Sequence, residues 1–276
     1  MSDITVINDS EQSSLVTNGL AKNGELYLKA AGSTNAGAIV AYDSGVWRTF
    51  ANEASSFSNT YSVDFDGTND HIDCGNISVL SNASSLTISG WFKFNALNTL
   101  CLTSGANLVE RIHFYATASG QLRVYFNDQM ALASSINLST SQWYHFAVVK
   151  DGNSSNNLKL FINGSLSDGG TGSFASATPS NAGDDFWIAS ASAYTSLPLD
   201  GLADEVAVWG SALSNSDITA IYNSGVPADL SSLNPVHWWR MGDNDGGTGT
   251  TITDQGSGGN DGTLTNGPTF STDVPS

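Results

Sequence analysis

The sequence predicts an all-β protein folded as a two-sheet antiparallel sandwich with one short helix. Three observations carry this. The 276 residues hold five glutamates (Glu11, Glu25, Glu53, Glu110 and Glu205) against 21 aspartates, and Asp favours turns where Glu favours helices. Apolar and polar residues alternate with period two over several runs. Those runs arrive roughly every 10 to 20 residues, with Gly, Asn and Asp turns between them.

Composition sets further bounds. A hydrophobic content of 40%, with seven Trp and twelve Phe, supports a packed core and excludes a disordered acidic chain. The 26 acids against nine bases leave a net charge of −17, which excludes nucleic-acid binding through a basic footprint and a polybasic membrane anchor. No run approaches the roughly 18 apolar residues of a membrane helix, so membrane insertion is not expected. The start, MSDITVINDSEQSSLV, has neither a basic n-region nor an apolar h-region, so general secretion is not expected either. Cys74 and Cys101 are too few for a disulfide framework. They read as reduced thiols in or beside the core, and could bridge only if their strands were neighbours.

In chain order, a polar lead precedes GELYLKAAG, a strand, and GAIVAYDSGVWRTF, a hairpin turning at Asp43–Ser44–Gly45. So few strands fold poorly alone, so residues 1–58 read as a segment attached to something larger, with a linker over 52–60. From Tyr61 the alternation becomes regular. In SLTISGWFKF, Leu86, Ile88, Phe92 and Phe94 share one face, and Thr87, Ser89, Trp91 and Lys93 the other. QLRVYFND repeats the pattern with Leu122, Val124 and Phe126. WYHFAVVKDG and NLKLFING form two strands, the second closed by an Asn163–Gly164 turn. DFWIASA and GLADEVAVWG follow. The helix begins at a Ser214 cap with Asp217 three residues on, presents Ile218, Ile221 and Tyr222, and ends at Gly225 before Pro227. A Trp-rich strand, VHWWRMG, and a glycine-rich stretch close the chain.

From Tyr61 to Gly225 the motif order resembles the laminin G-like, concanavalin A-like lectin/glucanase jelly roll. The matching pieces are VDFDGTNDHIDCG, SLTISGWFKF, QWYHFAVVKDG with LKLFINGSLSDG, and LDGLADEVAVWGSALSNSDITAIYNSG. The resemblance implies a jelly roll over residues 59–276. The similar stretch WWRMGDNDGGTGTTITDQGSGGNDGTLTNGPTF stands before the FDG motif in such proteins and last here. This implies a circular permutation in which residues 235–271 complete the sandwich, an arrangement that neighbouring termini permit. The first region is similar to attachment segments of marine phage virion proteins.

The fold resemblance also raises hydrolase and metal readings. Laminarinase-type relatives carry an E-x-D-x-E strand, and glycoside hydrolysis needs two suitably spaced carboxyls. No two of the five glutamates lie within two residues of each other, and Asp64–Asp66 runs into a turn, so no enzyme is expected. His71, His113, His145 and His237 show no metal or catalytic spacing. A structural Ca2+ is the candidate cofactor, with Asp66, Asp70, Asp204, Asp254, Asn260 and Asp261 as oxygen ligands that the resemblance would cluster. Alternation places Asp204 on a face with Leu202, Val206 and Val208, where a carboxylate needs a partner or an ion. Asp243–Asn244–Asp245–Gly246 is too short for a calcium-binding EF-hand loop. For sugar recognition, Trp187, Tyr194, Tyr115 and His113 are candidate rim-loop platforms.

These readings together imply a phage virion structural protein: a head decoration, tail fibre or appendage. Assembled in the host cytoplasm, it binds capsid or tail proteins through its first segment. It would display the jelly roll, as a trimer or other homo-oligomer, toward host-surface glycans. The competing class is a bacterial carbohydrate-binding or adhesion module, with a glycanase third.

Overall fold

The chain divides into two compact units, Met1–Ser56 and Phe57–Ser276. The computed structural model describes residues 57–104, 112–126, 129–153, 157–169, 185–190 and 197–276, together with four strands of the first unit. Those four are β1 (Thr5–Ile7), β2 (Leu26–Lys29), β3 (Ile39–Asp43) and β4 (Val46–Phe50), and they form one sheet in that order. β3 and β4 make the expected hairpin, with Asp43 opposite Val46. β1, inside the polar lead, pairs parallel to β2. Three residues are too few for alternation to reveal such a strand.

In the second unit the alternating runs become two antiparallel sheets, the sandwich that composition and periodicity predict. Sheet I contains, in spatial order, β11 (Gln129–Asn137), β10 (Gln121–Phe126), β9 (Ile112–Ala116), β8 (Thr99–Ser104), β15 (Phe186–Ile188), β6 (His71–Asp73), β19 (Gly262–Thr265) and β18 (Thr251–Ile252). Sheet II runs β14 (Ser165–Asp168), β13 (Leu158–Ile162), β12 (Trp143–Lys150), β7 (Leu86–Phe94), β16 (Asp200–Trp209), β5 (Ser62–Asp66) and β20 (Thr269–Ser271). β17 (His237–Trp239) also pairs with β16. The last strands of the chain therefore flank the first strands of this unit: β20 pairs with β5, and β19 with β6.

The core lies between the sheets. Leu86, Ile88, Phe92 and Phe94 enter it from β7, Leu122, Val124 and Phe126 from β10, and Phe186 and Ile188 from β15. Cys74 and Cys101 are buried free thiols in this core. Their strands are not neighbours, since β15 separates β6 from β8.

A second apolar layer covers the other face of sheet II. Helix α1 (Asn215–Tyr222) sets Ile218 and Ile221 against Ala147, Val149, Phe161, Ala207 and Trp209. The Ser214 hydroxyl and the Asp217 carboxylate make the reciprocal capping box. The helix stops at Asn223, which takes the left-handed conformation (φ 45°), two residues before the expected Gly225. Asn tolerates that conformation because its short polar side chain bonds locally.

β16 carries the feature that organises this sheet. Along one edge it pairs with β5 through Asp200–Ala203, then with β17 through Val206–Val208. Between the two lies a bulge, with Glu205 at φ 47°. The extra residue shifts the alternation. Ala203, Val206 and Val208 face the inter-sheet core, whereas Ala207 and Trp209 face the helix layer. Asp204 is thereby placed on the opposite face from Val206 and Val208, which corrects the simple alternation read from sequence.

At the bulge Glu205 is 3% exposed. It accepts hydrogen bonds from Trp238 Nε1 (2.5 Å) and Arg240 Nε (3.0 Å). Arg240 also donates to the Ser58 carbonyl and pairs with Asp243 at 3.2 Å, and its guanidinium lies 4.3 Å from the Phe57 ring centroid. Asp243 in turn accepts from the Thr60 and Tyr61 backbone N–H groups. One ion pair thus joins the beginning of the unit, its central strand and its C-terminal segment. Breaking a buried pair leaves an uncompensated charge, so Arg240→Ala is expected to lose about 3–5 kcal/mol in urea unfolding. A loss below about 1 kcal/mol, the size of an exposed pair, would contradict this role.

Candidate functional site

The face of sheet I turned away from the core holds the residues with recognition chemistry. Because Phe186 and Ile188 point inward, Trp187 points outward, and the strand registers extend that position into a row. Trp187 lies opposite Thr103 on one side and Asp73 on the other. Thr103 is opposite His113, and His113 opposite Tyr125. Asp73 is opposite Thr263. A second row, two residues along, holds Arg123 opposite Tyr115 and, across the sheet, His71 opposite Thr265.

Two aromatic stacks stand on this face. His71 and Trp187 lie 4.1 Å apart at 17°, and His113 and Tyr125 4.3 Å apart at 16°. His71 and His113 are buried, while Trp187, Tyr125, Asp73, Tyr115 and Arg123 are part-exposed. Polar contacts hold the set in place. His71 Nδ1 donates to the Asn69 carbonyl at 3.1 Å, and Thr103 Oγ1 to the Ser190 carbonyl at 2.8 Å. The Tyr115 hydroxyl donates to Asn98 Oδ1, and Asp73 Oδ1 accepts from the Gly75 N–H at 2.9 Å. Half-exposed aromatic rings flanked by oriented hydroxyl, carboxylate and guanidinium groups can bind a ligand with apolar faces and a hydroxylated rim.

Three of the four glycan candidates, Trp187, His113 and Tyr115, therefore share one sheet face, on strands rather than rim loops. Tyr194 lies outside the described residues. His71, Asp73, Thr103, Arg123 and Tyr125 belong to the same face but were not singled out from sequence. For Arg123 and Tyr125 the signal was present, since they alternate with the core residues of β10.

The six calcium candidates do not converge. Antiparallel pairing of β19 with β6 sets the 254–261 loop beside Asn76, through Asn260 Nδ2 donating to the Asn76 carbonyl. Asp66 and Asp70 lie at the other end of β6, where Asn266 reaches the Asn69 carbonyl. Asp204 is on the far side of sheet II. Several of the donor oxygens also accept hydrogen bonds. Asp254 accepts from His237 Nδ1 (2.7 Å) and from the Trp238, Gly256 and Asn260 N–H groups (2.8–2.9 Å). Burial opposes its charge, but these bonds outweigh it and hold the carboxyl below its usual range. Asp261 Oδ1 accepts from the Asp254 N–H, Asp66 is exposed with Oδ1 on the Thr68 N–H, and Asp70 Oδ2 accepts from the Asp66 N–H. Among the described residues, no group of three His, Cys, Asp or Glu side chains is placed to hold a metal ion. The six candidates therefore fall in three separate places: Asp66 with Asp70, Asp254 with Asn260 and Asp261, and Asp204 alone. A drop in the thermal unfolding midpoint on adding a chelator would show that one of these places binds calcium, and an unchanged midpoint would count against it.

Asp204 has a different account. It is fully buried; Oδ2 accepts from Asn59 Nδ2 at 2.8 Å, while Asp204 Oδ1 and Asn59 Oδ1 have no hydrogen-bond partner. Burial, and then the adjacent Glu205, push its carboxyl well above the usual range; a proton there would turn an acceptor into a donor among orphaned acceptors. Burial likewise raises Glu205 to about 7, against the opposing effects of Arg240 and Trp238. Nearby His145 is fully buried beside Trp91 and Tyr222, and burial lowers it to about 3.

Raised carboxyls favour the folded state at low pH, and that stability falls as pH rises, between about 4.5 and about 7 for Glu205. His145 acts in the opposite sense, its contribution being lost as pH falls from 6.5 towards about 3. Asp204→Asn keeps the shape and removes the charge. It should flatten the decline of the unfolding midpoint as pH rises above the ordinary carboxyl value of 3.8 while leaving the acid limb intact. An unchanged decline would refute the raised carboxyl.

Comparison with known proteins accords with this architecture. The family model described as the concanavalin A-like lectin/glucanases superfamily (Laminin_G_3) matches residues 66–219, more than half of the chain. Among solved structures, a candidate carbohydrate-binding protein from Bacteroides ovatus is 19% identical with a TM-score of 0.59, covering 92% of this chain and 71% of its own. Domain 4 of AbnA, a GH43 extracellular arabinanase from Geobacillus stearothermophilus solved with arabinotriose, is 17% identical with a TM-score of 0.48, covering 75% and 95%. A heptameric SAP-like pentraxin from Limulus polyphemus is 16% identical with a TM-score of 0.45, covering 59% and 82%. The chain has no match among curated proteins. On the family match and the sandwich together, the chain belongs to the concanavalin A-like lectin/glucanase superfamily.

Proposed function

We propose that the chain is a non-catalytic glycan-binding module whose ligand lies across the outward face of sheet I. The observation that carries this is the row through Tyr125, His113, Thr103, Trp187 and Asp73, in which two aromatic stacks flank the Thr103 hydroxyl and the Asp73 carboxylate lies beyond Trp187. Aromatic faces pack on the apolar faces of sugar rings, and fixed polar groups select hydroxyls. Asp73 is the carboxylate of the two described rows, whereas glycoside hydrolysis calls for a pair. The shared fold of the Bacteroides ovatus candidate carbohydrate-binding protein supports the same class.

In its fuller form the reading is an adhesion protein on a phage virion. Residues 1–56 attach it to capsid or tail, and the sandwich meets host-surface glycans. The likeness of GELYLKAAGSTNAGAIVAYDSGVWRTF to virion attachment segments supports this context. Mass spectrometry of purified particles tests it, and absence of the protein from them would leave the bacterial binding-module reading.

For the site itself, calorimetry against a panel of neutral glucans, galactans and arabinans and of uronate polymers should find at least one ligand. Trp187→Ala should weaken that binding about tenfold or more, as removing a central Trp anchor does. Trp91→Ala, which alters the opposite side of sheet II, should lower stability instead. Full binding by Trp187→Ala, or none by the unaltered protein across the panel, would remove the reading.

A further inference from the structure

Cations are scarce in the second unit, and most of the described ones are committed within the fold. Lys93 pairs with Asp273, and Arg240 with Glu205 and Asp243. Lys150 is buried, its Nζ donating to the Ala83, Ser84 and Gly152 carbonyls and to Asn153 Oδ1. Lys159, on sheet II, reaches Asn215 Oδ1 at 3.4 Å. Arg123 differs. It is part-exposed on the outward face of sheet I, and among the described residues no carboxylate pairs with it.

Its one side-chain contact is informative. Nε donates to Gln121 Oε1 at 3.0 Å, from two residues back on the same face of β10. That bond fixes the guanidinium plane by its inner edge and leaves the two terminal nitrogens as a preset fork. Such a fork matches the two oxygens of a carboxylate. Its neighbours are the part-exposed Tyr115 directly across on β9 and Tyr125 two residues along. The nearest described acid by register, Asp168, lies beyond Ala133 and has Oδ2 on the Ala133 N–H at 2.9 Å. The −17 charge of the whole chain opposes an anionic ligand at long range. Salt screens exposed charges beyond about 8 Å, so the local group decides.

We propose that Arg123 makes this face selective for glycans that carry a carboxylate, that is, uronic acid polymers. The carboxylate takes the terminal guanidinium nitrogens, while neighbouring rings of the same chain pass over the His113–Tyr125 stack toward Trp187. Arg123 and Trp187 lie three strand spacings and two residues apart, about 14 Å across and about 7 Å along, so the ligand is an oligosaccharide rather than a single sugar. The inference rests on the glycan reading of this face.

The test pairs each acid polymer with its ester, which keeps the sugar backbone and removes the charge: polygalacturonate with its methyl ester, and alginate with its propylene glycol ester. Titrations use the full chain at about 0.15 M salt, where the screening length is about 8 Å. An acid form should bind more tightly than its ester. Arg123→Gln should weaken acid-form binding about tenfold to a hundredfold, and Arg123→Lys, which keeps the charge and loses the fork, should recover only part. Equal affinity for acid and ester, or an Arg123→Gln variant that binds the acid form as well as the unaltered chain does, overturns the carboxylate selectivity. If neutral glycans still bind and respond to Trp187→Ala, that result leaves the glycan reading standing. A protein that binds no polysaccharide at all removes both.

Discussion

The ion pair between Glu205 and Arg240 is the contact on which the second unit depends. A sandwich whose first strand is flanked by its last must join distant parts of the chain, and this pair does so at the point where β5 leaves the edge of β16 and β17 takes over. The bulge at Glu205 makes the exchange feasible. Without an extra residue there, alternation would turn Glu205 into the inter-sheet core. With it, Glu205 meets Trp238 and Arg240, and Val206 and Val208 keep their places in the core. Desolvation makes such a pair costly, and its worth lies in specifying one assembly as much as in adding stability.

The two sheets divide the remaining polar chemistry between them. On the outer side of sheet II, Asp204, Glu205 and His145 are withdrawn from water, and burial moves each toward its neutral form. On the outward face of sheet I, Trp187, Tyr115, Tyr125, Asp73 and Arg123 stay part-exposed, and hydrogen bonds to Asp73 and Arg123 orient them without using all their capacity. The first arrangement serves the fold, and the second leaves groups available to a ligand. That contrast is why a carboxylate in the core layer says little about function here, whereas an arginine on an aromatic face that pairs with no carboxylate among the described residues directs attention to a ligand.

Local signals in the sequence were read well where one residue's neighbours in the chain are also its neighbours in space. The faces of β7, the turn at Asn163–Gly164 and the capping box at Ser214 and Asp217 are of this kind. The end of the helix at Asn223 was missed because Asn and Gly both suit a left-handed cap and only backbone geometry separates them. The face of Asp204 is not legible in the sequence, because a bulge leaves no mark on composition. The separation of the calcium candidates has a longer-range cause. Each loop looked suitable alone, but the register of β19 on β6 carried the two loops to opposite ends of the strand.

By itself the sequence determined the fold class, the alternating core, the helix and its cap, and the inward sets of β7 and β10, because each follows from periods of two or 3.6 residues and from turn chemistry. The tertiary structure alone decided which outward residues meet. Trp187, Thr103, His113 and Tyr125 become a row only through the pairing order β15–β8–β9–β10, and Arg123 joins them only through that register. Cross-strand neighbours are set by the pairing of segments far apart in sequence, and no local pattern encodes that pairing.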